Sequence, residues 1–245
     1  MNKIVVGVLP QSIFKTDDNP YNDKYVFVDL YTKRIIEAGG IPFGLIASNN
    51  IIPNELLDMC DAFLIQGGIN FKSYHFQVID YAIKNNKPLL GICLGMQALS
   101  IYSVIIDNIG ELNLDLFWNE YNRLREENND KLLEKMPDEN IHLHLINYEN
   151  SDEARHIINI VDKDSILYDI YKKDTINEVS LHSYKVMNLG SKFKSVMVAE
   201  DNVIEGIEYI DKSRFIVGVQ YHPEWDNDNL LFNRLIEEGI KRKNE

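Results

Sequence analysis

Short apolar runs bounded by glycine, proline or polar residues alternate with helix-spaced segments through the first hundred residues. Lys3–Leu9, Ile41–Ile46, Ala62–Ile65 and Leu89–Ile92 read as buried strands. Tyr25–Ala38 carries Val26, Val28, Leu30, Ile35 and Ile36 at mostly helical spacing and is stopped by Gly39 and Gly40. Pro53–Met59 predicts a short helix, and Ser73–Lys84, with Phe76, Ile79, Tyr81 and Ile83 apolar, a longer one. Residues 10–22, rich in Asp, Asn and Pro, read as a loop. The order β-α-β-α-β-α-β, followed by a further helix, predicts an α/β fold with a doubly wound, mostly parallel central sheet flanked by helices. In such sheets, sites gather at the carboxyl ends of the strands.

The second half reads differently. Leu114, Phe117, Tyr121 and Leu124 keep helical spacing, Asn128-Asn129-Asp130 interrupts it, and Leu132, Leu133 and Met136 follow. The stretch at about 111–140 is expected to be a helical insertion, either a cover over the sheet edge or a lid or partner surface, within one domain spanning 1–245. Apolar runs at 156–161, 178–180, 194–199, 203–209 and 215–220 predict a smaller additional set of strands. Leu230–Ile240 closes the chain as an amphipathic helix, with Leu231, Leu235, Ile236 and Ile240 on one face.

The boundary between the Leu89–Ile92 strand and the next helix is Gly91-Ile92-Cys93-Leu94-Gly95. Glycines two residues before and after Cys93 are what a sharp strand-to-helix elbow requires, since a side chain at either place would collide with the turn. The helix N-terminus aimed at the sulfur favours its anionic, nucleophilic form. The competing reading is a buried structural cysteine, the commoner fate of a free Cys. Between Lys87 and Asp107 lie nineteen uncharged residues, long enough for a membrane span. Gly91, Gly95, Gln97, Ser100 and Ser103 divide the run into a strand and a helix of a water-soluble core, so no membrane partner is expected.

Composition narrows the class. A formal net charge of -13 without a basic cluster before the terminal KRKNE makes nucleic acid an unsuitable partner. Two cysteines, Cys60 and Cys93, cannot frame a disulfide scaffold, and the first residues carry no secretory pattern, so a cytoplasmic location is expected. No phosphate loop or dinucleotide fingerprint occurs, and no cofactor is expected. His142 and His144 sit two apart with no third ligand near in sequence, so alternate positions on an edge strand explain them better than a metal site. His75 fits a pocket wall or a helix surface equally.

A cysteine nucleophile needs a base, and the base needs a third group to hold its tautomer. Gly218-Val219-Gln220-Tyr221-His222-Pro223-Glu224-Trp225 places His222 at the end of an apolar strand, with Glu224 two residues on. Together, GICLGMQ and VQYHPEW resemble the class I glutamine amidotransferase-like superfamily. The tryptophan after His-Pro-Glu, LIQGGIN, Val179–His182 and AGGIPFGLI are similar to its γ-glutamyl hydrolase branch, which includes γ-glutamyl-γ-aminobutyrate hydrolases. The similarity covers most of the chain and fades between about Asp107 and Ser151.

The resemblance implies that Cys93 attacks a γ-glutamyl carbonyl, that His222 is general base and acid, and that Glu224 orients His222. It places the oxyanion between the backbone N–H groups of Gly68 and Leu94, and the glutamyl part of a small γ-glutamyl substrate against Gly67, Gln97, Ser180, Leu181 and His182. A γ-glutamyl thioester would form and be hydrolysed. Leu94 stands where the hydrolase branch usually has Arg, Gln66 where Pro, Ser or Thr is common, and Ser180 where Asn is usual. The glycine-rich segment after the elbow helix is reduced to Asn108-Ile109-Gly110. These departures bear on the leaving amine. The expected function is a cysteine hydrolase of γ-glutamyl amides, as a monomer or homodimer. The alternatives are a glutaminase subunit that supplies ammonia to a separate synthetase, and a catalytically silent binding protein on the same fold.

Overall fold

The computed structural model describes residues 3–13, 24–127, 132–137, 155–227 and 229–245. Its centre is a nine-stranded sheet in the order β4-β1-β5-β6-β13-β12-β11-β8-β9. Here β1 is Val5–Leu9, β4 Ile41–Gly44, β5 Ala62–Ile65, β6 Leu89–Ile92, β8 Arg155–Ile160, β9 Thr175–Val179, β11 Phe193–Ala199, β12 Ile204–Tyr209 and β13 Ile216–Val219. Every neighbouring pair from β4 to β13 is parallel, and every pair from β13 to β9 is antiparallel. The expected doubly wound, mostly parallel half and the additional C-terminal strands therefore form one continuous sheet.

Both faces of the parallel half are covered, which is why its strands are apolar at successive positions rather than alternate ones. Phe63 and Leu89 point to a core shared with α3 (Ser73–Lys84) and α4 (Leu94–Ile109). Leu64 and Leu90, one residue on, point to a second core shared with α1 (Asp29–Glu37) and the C-terminal helix α7 (Leu230–Lys243). The long apolar run after Lys87 is thus β6 plus α4, whose residues from Leu94 to Ile106 are all buried. No helix among the described residues is long and apolar enough to cross a membrane.

Several boundaries differ from the expectation. Tyr25 and Val26 do not start the helix. They form β3 (Lys24–Val26), which pairs with β2 (Gln11–Ile13) inside the expected loop, and α1 begins at Asp29. The Gln66 side chain draws this segment inward: its amide donates to Leu9 O at 2.8 Å and Val26 O at 3.0 Å, and its Oε1 accepts from Val28 N–H at 3.0 Å. The stretch at 111–140 is helical over α5 (Leu114–Glu127), but Leu133–Lys135 is a strand, β7, paired with β10 (Tyr184–Val186). Two further short helices are α2 (Asn54–Asp58) and α6 (Ile166–Tyr171), the latter capped by the Ser165 hydroxyl accepting from Tyr168 N–H. His142 and His144 lie outside the described residues.

Candidate active site

The strand crossing that matters is β13 beside β6. Val219 registers against Ile92, so the residues that follow each strand emerge together although they lie far apart in sequence. Cys93 N–H donates to Val219 O at 2.7 Å, tying the elbow to the end of β13. Cys93 itself has φ 53° and ψ -104°, a conformation that costs a side-chain-bearing residue about 1–3 kcal/mol. The flanking glycines show what enforces it. A Cβ on Gly91 would lie 2.7 Å from the carbonyl carbon of Gly95, and one on Gly95 would lie 2.6 Å from the backbone oxygen of Ile65. The elbow is packed against backbone on both sides.

Beyond β13, His222 N–H donates to Val179 O at 2.8 Å, and a 3₁₀ turn over Pro223–Trp225 brings Glu224 back to the ring. His222 Nδ1 and Glu224 Oε1 are 2.6 Å apart, both groups buried. Burial alone would drive the imidazole neutral, but the Glu224 carboxylate and the Cys93 sulfur outweigh it and hold the His222 pKa well above its ordinary value. Nε2, the nitrogen not taken by Glu224, has no hydrogen-bond partner among the described residues.

Two residues of α1 that the sequence reading did not single out complete this corner. Tyr31 accepts Gly67 N–H at 3.1 Å and lies 3.4 Å from His222 Nδ1; burial and then the Glu224 carboxylate raise its pKa far above the phenol range. Arg34, buried in the same helix, donates through Nε to Glu224 O at 2.8 Å and through a second nitrogen to Asn227 at 3.1 Å, fixing the 3₁₀ turn from behind. The only signal in the sequence was an arginine among the inward-facing positions of an amphipathic helix.

The loop after β5 closes the other side. A Cβ on Gly67 would meet Tyr31 Oη at 2.8 Å, His222 Cε1 at 3.1 Å and Cys93 Cβ at 3.5 Å, and one on Gly68 would meet Leu94 Cδ1 at 3.5 Å. Gly67 therefore lies against the Cys93–His222 pair and Gly68 against Leu94. Leu181 O lies 3.8 Å from Cys93 Sγ, and Gln97 Nε2 donates to Gln220 Oε1 at 3.1 Å. Ser180 is fully buried just before them. His182 turns away from the sulfur: Nδ1 meets Tyr184 O at 3.0 Å, and Nε2 lies 3.3 Å from the buried Glu205 carboxylate. Of the segment at 180–182 it is thus the Leu181 backbone that faces Cys93. His75 is buried within α3, its pKa lowered to about 3 by that burial, and it accepts from Lys72 N–H.

Comparison with known proteins gives the family of the chain. A family model described as peptidase C26 matches residues 72–224, from the start of α3 through Cys93 and His222 to Glu224. The chain belongs to the peptidase C26 family. Among relatives, a glutamine amidotransferase-like protein of Rickettsia prowazekii is 28% identical, the match covering 98% of this chain and 97% of that protein. The CTP synthase of Borreliella afzelii is 30% identical over 80% of this chain, which spans only 39% of that enzyme's length. The glutaminase domain of a Trypanosoma brucei CTPS, solved with bound acivicin, superposes with a TM-score of 0.67 at 17% identity, covering 98% of this chain and 94% of that one. The class I glutamine amidotransferase-like resemblance and the fold are thereby established for this C26 protein.

Two cavities flank its glycine loop and meet at Ile69 and Asn70. The smaller, about 260 Å³, is bordered by Gly67, Gly68 and Leu94; the larger, about 600 Å³, by Gln97 together with residues of α5 and β7. Among the described residues, no group of three or more His, Cys, Asp or Glu side chains could hold a metal ion.

Proposed function

We propose that this C26 protein is a cysteine hydrolase that cleaves γ-glutamyl amides of small amines or amino acids. The observation that carries the reading is the pairing of β6 with β13, which brings Cys93 beside the buried His222–Glu224 pair, with Gly67 packed against both. Sγ of Cys93, as thiolate, attacks the γ-carbonyl carbon, and the developing oxyanion is met by the N–H groups of Gly68 and Leu94. The carbon–nitrogen bond then breaks, the departing amine takes the proton of the His222 imidazolium, and a γ-glutamyl thioester remains. Neutral His222 next removes a proton from water, whose oxygen attacks the thioester. Glutamate leaves, and the thiolate–imidazolium pair is restored.

In this reading Glu224 holds the ring so that Nε2 faces the sulfur and stabilises its charged form, while Arg34 and Tyr31 act as positioning residues. Gln97, Gly67 and the backbone at 180–182 border the place for the glutamyl group. The whole chain, 1–245, acts as one domain, and a reducing cytoplasm suits its two free cysteines.

A second reading, a glutaminase subunit feeding ammonia to a separate synthetase, is favoured by the CTP synthase relatives and by Leu94 in place of the hydrolase branch's usual Arg. Glutamate and ammonia release from glutamine, γ-glutamyl-γ-aminobutyrate, γ-glutamyl dipeptides and folyl polyglutamate separates the two. Cleavage of one γ-glutamyl amide far above glutamine is the expected result. Weak action on glutamine alone would support the subunit, and silence on all of them the binding protein.

A further inference from the structure

The larger cavity points to the kind of amine that leaves. It opens beside Gln97 on the first turn of α4 and is walled by Trp118, Tyr121 and Arg125 of α5, Lys135 of β7 and Tyr184 of β10. At about 600 Å³ it is the size of a site for a whole small molecule, with more room than the glutamyl group alone requires. Three of these five side chains are aromatic, and Trp118 is fixed by donating Nε1–H to Ser73 Oγ at 2.9 Å. The Arg125 guanidinium sits 5.5 Å over the Tyr121 ring.

The charge is unlike that of the rest of the molecule. The chain carries 38 Asp and Glu against 25 Lys and Arg, yet among the described residues the charged side chains lining this cavity are Arg125 and Lys135, with no carboxylate. A concave wall of aromatic rings with cations alone favours a flat apolar body that bears an anion.

Building on the hydrolase reading, we infer that the cavity between α5, β7 and β10 is the leaving-group subsite, and that it takes an amine bearing both an aromatic ring and a carboxylate. The scissile carbonyl sits by Gly68 and Leu94, Gln97 stands between the glutamyl group on one side and the amine on the other, and the amine reaches toward Trp118 with its carboxylate meeting Arg125 and Lys135. The segment after the elbow helix is then what selects the substrate.

The test compares γ-glutamyl-phenylalanine with γ-glutamyl-2-phenylethylamide, which keeps the ring and lacks the carboxylate. Wild-type protein is expected to favour the first by about tenfold or more in kcat/KM, the effect of one charge-assisted contact. In Arg125→Gln and Lys135→Gln that preference should fall toward one, with glutamine as the reference substrate in the same preparations. Equal rates on the two amides, or a preference that survives both substitutions, would overturn the subsite and leave the hydrolase reading standing. If no γ-glutamyl compound is cleaved, glutamine included, the hydrolase reading fails, and titration of wild-type and Arg125→Gln protein with 3-phenylpropionate decides the cavity. Binding weakened by the substitution supports an aromatic-acid site, and no binding to wild type overturns it.

Discussion

Cys93 is held by backbone with nowhere to move, whereas the cavity a few residues away is walled by side chains that meet only through the packing of α5, β7 and β10. At the elbow, Gly91 to Met96 pack against main-chain atoms of their own turn and of β5 and β13: the nearest atom to a Cβ on Gly91 is the Gly95 carbonyl carbon, and to one on Gly95 the Ile65 oxygen. At the wall, residues 118, 125, 135 and 184 come from three elements. The contrast teaches where each property of the protein resides. In the proposed function, the bond-breaking chemistry rests on a rigid local turn, and the choice of leaving group on a surface that can change without disturbing that turn.

Substitutions that add one methyl group to the corner should therefore do the most damage. Gly95→Ala sets a Cβ against Ile65 O at the buried carboxyl end of β5, so the elbow or β5 must shift. A loss of about 3 kcal/mol, the upper part of the overpacking range, together with the loss of γ-glutamyl hydrolysis, is expected in urea unfolding and rate assays. An unchanged unfolding midpoint with full activity would show the corner to be as adaptable as the wall.

Glu224→Gln tests the next layer. Removing the carboxylate should lower the rate by roughly 10²–10⁴-fold without abolishing it, because orientation and imidazolium stabilisation go while the nucleophile stays. It should also move the alkaline limb of kcat/KM to lower pH, since the raised His222 pKa depends on Glu224. The same shift gives the wild-type fold a stability that is fully present below the ordinary histidine pKa and is lost as pH rises through the raised one. A pH–rate profile with its alkaline limb unmoved would separate Glu224 from His222.

The smallest effect belongs to the wall. Trp118→Phe keeps an aromatic surface and gives up the hydrogen bond to Ser73 Oγ, which should cost about 0.5–1.5 kcal/mol in the same unfolding experiment. A cost matching that of Gly95→Ala would erase the distinction between the two regions.

The same contrast explains what could be read from the sequence. Ala62–Ile65 and Ser73–Lys84 form their elements at the expected residues, and β6 ends at the cysteine, because each is a contiguous run whose ends are marked by glycine, proline or a change of period. The expectation that Cys93, His222 and Glu224 share one site needed only the strand-end rule and the resemblance. Tyr31 and Arg34 were invisible because their partners lie across the fold: Arg34 and Glu224 are 190 residues apart. The strands β2, β3, β7 and β10, three residues each, are too short to carry a period, and all four lie where a loop or helix was expected or where no element was assigned. The cavity has no sequence signature: Trp118, Tyr121 and Arg125 share one face of α5, but Lys135 and Tyr184 come from strands too short to mark themselves in the sequence.

Whether Cys93 carries the γ-glutamyl group during turnover is read by peptide mass analysis of protein mixed with γ-glutamyl-4-nitroanilide and quenched in acid within the first turnover. A γ-glutamyl adduct is expected on the peptide containing Cys93 and none on the peptide containing the buried Cys60, whose thiol pKa is pushed up to about 12 by burial, with no nitroaniline release by Cys93→Ala. Nitroaniline released at the wild-type rate by Cys93→Ala would contradict this role of Cys93.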